Sequence, residues 1–225
     1  MIGSNTPRYA ILMGDLVHSE DVADRAALHA RFNRAIDRAN DVHGADLASP
    51  LTITLGDEFQ GLAGSLTAAF EIARGIRMDL LDDAVECRFA LGIETLQTPL
   101  NRERAWNMMG AGLTATRERL NEKLENRLYR FVFAEEPLLE TLLEACGASL
   151  TAIERGWTAV QRHDVRALLD GRTPAAIARS RDVSARAVYK TRSSANFDLY
   201  RLQLQAIGQT LAALDQRCAL GGGAA

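Results

Sequence analysis

Tyr9-Ala10-Ile11-Leu12-Met13 is a short, unbroken apolar run that stops abruptly at Gly14 and Asp15. A strand without polar alternation has no face to offer to water, so this one belongs inside a sheet covered on both sides. Helical cover follows at once, because residues 24–42 place Ala27, Leu28, Phe32, Ala35, Ile36 and Ala39 at helical spacing. After the breaker-rich stretch 44–50, Leu51-Thr52-Ile53-Thr54-Leu55 alternates and meets the turn pair Gly56-Asp57. Beyond the turn Glu58-Phe59-Gln60-Gly61-Leu62 resumes as a second strand, which makes a hairpin with Asp57 and Glu58 at its tip. Residues 66–82 read as a helix with Phe70, Ile72, Ala73, Ile76 and Leu80 on its apolar side. Residues 87–93 read as a strand, 111–124 as a helix and 128–133 as a last strand. Strand, helix, hairpin, helix and strand around one sheet predict an α+β domain over residues 1–135.

Composition narrows the class. With 47% hydrophobic and 24% charged residues the 225-residue chain can bury a core, and disorder is excluded. No apolar run approaches the roughly 18 to 20 residues of a membrane span, so neither a signal peptide nor an anchor is expected. Cys87, Cys146 and Cys218 are odd in number and scattered, which fits a reduced, cytoplasmic protein without a disulfide frame. His18, His29, His43 and His163 share no metal-like spacing, and Trp106, Met108 and Met109 read most simply as core.

Charge is unevenly spread. Residues 1–148 hold 15 Arg and Lys against 23 Asp and Glu, a balance of −8, whereas residues 149–225 hold 11 against 6, a balance of +5. A basic module of this kind suits an anionic partner. After Pro137 every pattern is helical. Residues 157–169 form a helix stopped at Gly171, Thr173 and Pro174 cap and open a short helix through Arg179, and Ser184 caps a further helix from Ala185 to about Asn196. The run Ile177-Ala178-x-x-x-Asp182-Val183-Ser184-x-x-Ala187-Val188 resembles the core of helix-turn-helix DNA-binding domains. There a small alanine lets the helices approach, the turn residue is left-handed, and valines pin the second helix. The resemblance makes 149–216 an all-α DNA-binding domain. Its candidate DNA contacts are Thr173, Arg179, Ser184, Arg186, Tyr189, Lys190 and Arg192, with charge added by Arg172 and Arg181. Leu199, Leu202, Ala206, Ile207, Thr210, Leu211 and Leu214 make an apolar stripe on a final helix, for pairing with a second copy or packing on the chain's own domain. Residues 221–225 read as a disordered tail.

In the N-terminal part, Asp15 ends a central strand while Asp57 and Glu58 sit at the hairpin tip. Carboxylates gathered from strand ends would make a hard-oxygen site for Mg²⁺ or Mn²⁺. Leu55-Gly56-Asp57-Glu58-Phe59 and Arg88-Phe89-Ala90-Leu91-Gly92-Ile93 resemble segments of the palm-type domain of class III nucleotidyl cyclases and GGDEF diguanylate cyclases. That likeness implies a ferredoxin-like βαββαβ palm with metal-site candidates Asp15, Asp57 and Glu58. Over most of its length the chain resembles the SatD family. The motifs are Met13-Gly14-Asp15-Leu16-Val17-x-Ser19, Gly56-Asp57-Glu58-Phe59-Gln60-Gly61, and Gly110 followed by Arg117-Glu118. The resemblance marks Ser19, Gly56, Gly110 and Arg117 for nucleotide binding. Gly110 and Gly112 would let a phosphate approach backbone amides. The cyclase pattern is departed from at Leu55, in place of the first glycine of GGDEF, and at Thr114, about where the transition-state asparagine falls. The expectation is therefore a homodimeric DNA-binding transcriptional regulator whose degenerate cyclase-like domain binds a nucleotide or divalent metal. The alternative is an active metal-dependent nucleotidyl cyclase or a related nucleotide enzyme.

Overall fold

The computed structural model describes residues 6–220, so the tail at 221–225 lies outside the described residues. The apolar run becomes β1 (Arg8–Leu16), flanked on both edges within a five-stranded sheet. The other strands are β2 (Leu47–Leu55), β3 (Glu58–Ala63), β4 (Cys87–Thr95) and β5 (Tyr129–Val132), in the order β2-β3-β1-β4-β5. The first four pair antiparallel in the order that a ferredoxin-like βαββαβ unit produces, and β5 adds to β4 in parallel. A parallel neighbour needs a crossover, which α3 (Ala111–Asn121) supplies.

Alternation along β1 divides the two faces. Ala10, Leu12 and Leu16 join Phe59, Phe89 and Leu91 under α1 (Arg25–His43) and α2 (Leu66–Asp82), with Phe32 and Phe70 as the helical contributions. Ile11 and Met13 join Leu62 and Ala90 on the opposite face, closed by Leu120 of α3. Side chains cap the starts of α1 and α2: Asp24 accepts the amide of Ala27, and Ser65 accepts that of Ala68.

Several boundaries differ from the sequence reading. β2 starts at Leu47, four residues early, because it is an edge strand with register shifts on either side of Ser49. There Pro50 has no ladder bond to forfeit. The helix expected to reach 124 stops at Asn121, since Lys123 adopts a left-handed conformation with φ 41°. β5 keeps only four of the six residues expected of it.

The C-terminal half is helical: α4 (Pro137–Arg155), α5 (Ala159–Leu169), α6 (Pro174–Ser180), α7 (Ala185–Ser194) and α8 (Phe197–Arg217). Thr173 and Ser184 cap α6 and α7 by accepting the amides of Ala176 and Ala187. Asp182 stands between them at φ 53°, and the Val183 amide closes back on the Ala178 carbonyl. Ala167, Ile177, Ala178 and Val188 form a small core of their own linking α5, α6 and α7. An L residue at left-handed φ costs about 1–2 kcal/mol, less for aspartate, and glycine removes that strain while adding unfolded-state entropy. Asp182→Gly is accordingly expected to raise stability by about 0.5 kcal/mol. A urea midpoint that falls instead would mean that the aspartate side chain supports the turn.

The apolar stripe of α8 divides. Ile207, Leu211 and Leu214 are buried in the main core, where α8 packs on α2 and α4, while Leu199 and Leu202 stay 48% and 62% exposed. Asp215 reaches from α8 to accept the Leu66 and Thr67 amides at the start of α2. Among the described residues no helix is long and apolar enough to cross a membrane.

Candidate functional site

The antiparallel register sets Asp15 between Glu58 on β3 and Arg88 on β4. All three project toward the face that α3 covers. Arg88 grips Asp15 with a fork: Nε donates to Oδ1 at 2.9 Å and Nη2 to Oδ2 at 2.6 Å, and each side chain is only 8% exposed. Burial pushes the Asp15 carboxyl above the usual carboxylate range. The hydrogen bond and charge of Arg88 and the charge of Lys123 pull it down, and nearby Asp57 pushes it up again.

Asp57 sits in the two-residue loop between β2 and β3. Its carbonyl accepts the Leu16 amide at 2.9 Å and its carboxylate accepts the Ser19 hydroxyl at 2.6 Å, which ties the hairpin tip to the end of β1. Ser19, Gly56 and Asp57 line a cavity of about 270 Å³ together with Arg25 and His29. The other expected residues gather elsewhere. Arg117 of α3 donates to Glu58 at 3.1 Å and to Gln60 at 2.7 Å, beside a cavity of about 690 Å³ that also takes in Gly110. The sequence-predicted site thus divides between two cavities. Its acids are gathered at one end of the sheet, yet each is held by a partner within the chain.

Each of these acids is engaged by a partner: Arg88 takes one site on each Asp15 oxygen, Glu58 is paired with Arg117, and Asp57 is bonded by Ser19. Among the described residues no group of three or more His, Cys, Asp or Glu side chains is placed to hold a metal ion.

The start of α3 also carries its own anion. Glu94, 2% exposed, accepts the Leu113 amide at 2.7 Å. A Cβ on Gly110 would lie about 2.1 Å from that carboxylate, so glycine there makes room for Glu94. Trp106 and Met109, read from sequence as core, are 52% and 64% exposed at the rim of the larger cavity. Their loop is anchored through the backbone of Ala105 instead: its amide donates to Thr52 and its carbonyl accepts from Gln60. Sequence reasoning assigned no role to Arg88, Gln60 or Glu94. A lone charged or amide side chain inside a buried strand was the available signal, because burial demands a partner.

In the basic half, Arg179, Arg186, Tyr189 and Lys190 are exposed. Arg192 is not free: it bonds Asp198 at 2.5 Å and lies over the Phe197 ring. Arg181 is likewise turned inward to buried Asp164.

The SatD family model matches residues 9–200. This chain belongs to the SatD family. No curated protein matches it. Among solved structures, this SatD chain is similar to the dimeric guanylyl cyclase domain of the RhoGC fusion protein from the aquatic fungus Blastocladiella emersonii. The TM-score is 0.45 with 11% identity, over 60% of this chain and 84% of that one. A bacterial light-regulated adenylyl cyclase aligns at TM-score 0.40 and 13% identity over 56% of this chain, which spans 43% of that enzyme. A class III adenylyl cyclase-like ATP-binding protein from Pseudomonas aeruginosa aligns at 0.38 and 12%, over 56% of this chain and 33% of that one.

Proposed function

We propose that this SatD-family chain is a DNA-binding transcriptional regulator, cytoplasmic and homodimeric, whose ferredoxin-like N-terminal domain binds a nucleotide without catalytic turnover. The observation that carries this reading is the outward face of α7. Arg186, Tyr189 and Lys190 are exposed there, no acid lies between 185 and 194, and Val188 anchors the opposite face to α6. Caps at Thr173 and Ser184 and the left-handed Asp182 between α6 and α7 support taking α7 as the recognition helix of this reading. Phosphate contacts would come from Arg179, Arg186 and Lys190.

The same reading gives the N-terminal part a sensing role. Arg166 of α5 bonds Asp79 and Asp82 on α2, and Asp215 of α8 caps that helix, so a ligand at the sheet and a duplex at α7 share a mechanical link. Coupling of this kind is reciprocal: a ligand that changes DNA affinity has its own affinity changed equally by DNA. Leu199 and Leu202, beside α7 on the start of α8, are the surface for a second copy.

The test is DNA affinity across salt concentrations. Each lost phosphate contact lowers the slope of log affinity against log salt by about 0.9, so Arg186→Ala/Lys190→Ala should lower it by about 2. Equal slopes for wild type and variant would remove α7 from the interface.

A further inference from the structure

The larger cavity, about 690 Å³, falls in the size range of small-ligand sites and belongs to the sheet face that α3 covers. Resting on the nucleotide reading above, we infer that this cavity takes a nucleoside or nucleoside monophosphate, with the base stacked on Trp106, and that it disfavours a triphosphate.

Three observations lead there. First, Trp106 is held half-exposed by a loop fastened at Ala105 on one side and by the Asn101 side chain, which donates to the Trp106 carbonyl. A large aromatic ring kept at a cavity rim by polar anchors offers a flat face to a planar ligand. Met13 and Met108 add polarisable thioethers to the same lining. Second, the exposed amides of Asn107 and Asn121 stand in the lining with both donor and acceptor atoms, which suits the edge of a base or a ribose hydroxyl. Third, the charge count is small. Among the described residues Arg117 is the one cation of the lining, Glu118 offsets it, and Arg117 already spends two donors on Glu58 and Gln60. A triphosphate would bring several negative charges beside Glu118 and the Arg117-bound Glu58, with no cation cluster in the lining to meet them. A monophosphate needs only the remaining guanidinium donors of Arg117.

Trp106 makes the test direct. The other tryptophan, Trp157, is 4% exposed and donates to the Ala195 carbonyl, so ligand quenching of the full chain should report Trp106 alone. Adenosine, guanosine, their monophosphates and Mg²⁺-triphosphates would be titrated against wild type and Trp106→Ala, with fluorescence for the former and calorimetry for both. The expected result is saturable quenching by a nucleoside or monophosphate, a triphosphate binding no more tightly, and affinity about ten-fold or more weaker in Trp106→Ala. A Mg²⁺-triphosphate binding ten-fold tighter than its monophosphate overturns the inference, and so does calorimetric binding that Trp106→Ala leaves unchanged. In both cases the nucleotide reading survives. If no probe binds wild type in calorimetry, both fail together.

Discussion

Arg88→Ala is expected to cost about 3–5 kcal/mol of folding stability, the usual consequence of leaving one member of a buried ion pair alone. Asp15 would lose both arms of the fork that now hold it, in a position where 8% of its side chain meets solvent. The pH dependence of the loss identifies its cause. The Asp15 carboxyl already sits above its ordinary value of 3.8 because burial outweighs its partners. A carboxyl raised in the folded chain takes up a proton on folding, so its contribution is fully present below about pH 3.8 and is lost as pH rises through the raised value. Removing Arg88 deletes two influences that pull the pKa down, so the window moves upward and the variant's deficit shrinks as the medium is acidified. Asp15→Asn should cost a comparable amount but show no such recovery, because the stranded Arg88 stays charged at every working pH. Urea unfolding of wild type and both variants at about pH 5 and about pH 8 separates the cases. Deficits that run parallel in pH for the two variants would show that packing, and not an unpaired charge, accounts for the loss.

The pairing of Asp15 with Arg88 also shows where sequence reasoning reached and where it stopped. Local patterns located the elements well, since α2 occupies Leu66–Asp82 as its apolar spacing requires and both C-terminal caps fall at Thr173 and Ser184. These signals are short-range, being a cap, a period or a turn pair. β2 starts earlier than its pattern implies because Pro50 reads as a breaker until its edge position is known. Edge position is a property of the whole sheet.

The candidate site is legible in the sequence as a list of residues more than as a geometry. Asp15, Asp57 and Glu58 do gather at one end of the sheet, and Arg117 does reach Glu58 across 59 positions of sequence. Cross-strand register determined what those acids face, and no local pattern encodes that register. Arg88 stands in the middle of the apolar run Cys87-Arg88-Phe89-Ala90-Leu91, where an unpaired guanidinium could not be buried, so its presence required an acid on a neighbouring strand. Trp106 misled for the opposite reason. Its apolar character suggested core, while the backbone of its neighbour Ala105 had taken over the anchoring.

Glu154 carries the other large expected effect. Its carboxylate is fully buried and accepts the Tyr129 hydroxyl at 2.8 Å, the Tyr200 hydroxyl at 2.9 Å and Arg77 Nε at 2.9 Å. Those donors come from β5, α8 and α2, so a single side chain of α4 joins the sheet to the C-terminal helices. Burial, with the charge of Glu154 second, pushes both tyrosine hydroxyls well above their ordinary range, which keeps them protonated as donors. Glu154→Ala would leave Arg77, itself 0% exposed, with only Glu86 at 3.5 Å, and one of its terminal nitrogens already lacks a partner. A loss of about 3–5 kcal/mol follows, against about 1 kcal/mol each for Tyr129→Phe and Tyr200→Phe, which delete a donor and leave the charge pair intact. The core runs without a break from Phe89 through Tyr129 and Leu150 to Tyr200 and Leu211, so unfolding should remain one transition. In a Trp106→Ala background, Trp157 fluorescence, reporting the C-terminal helices through its contact with Tyr200, should then move with the circular dichroism of the whole chain. If fluorescence were lost first, the carboxylate would be joining two units that fold separately. A Glu154→Ala deficit below about 1 kcal/mol would mean that Arg77 finds its counter-charge elsewhere.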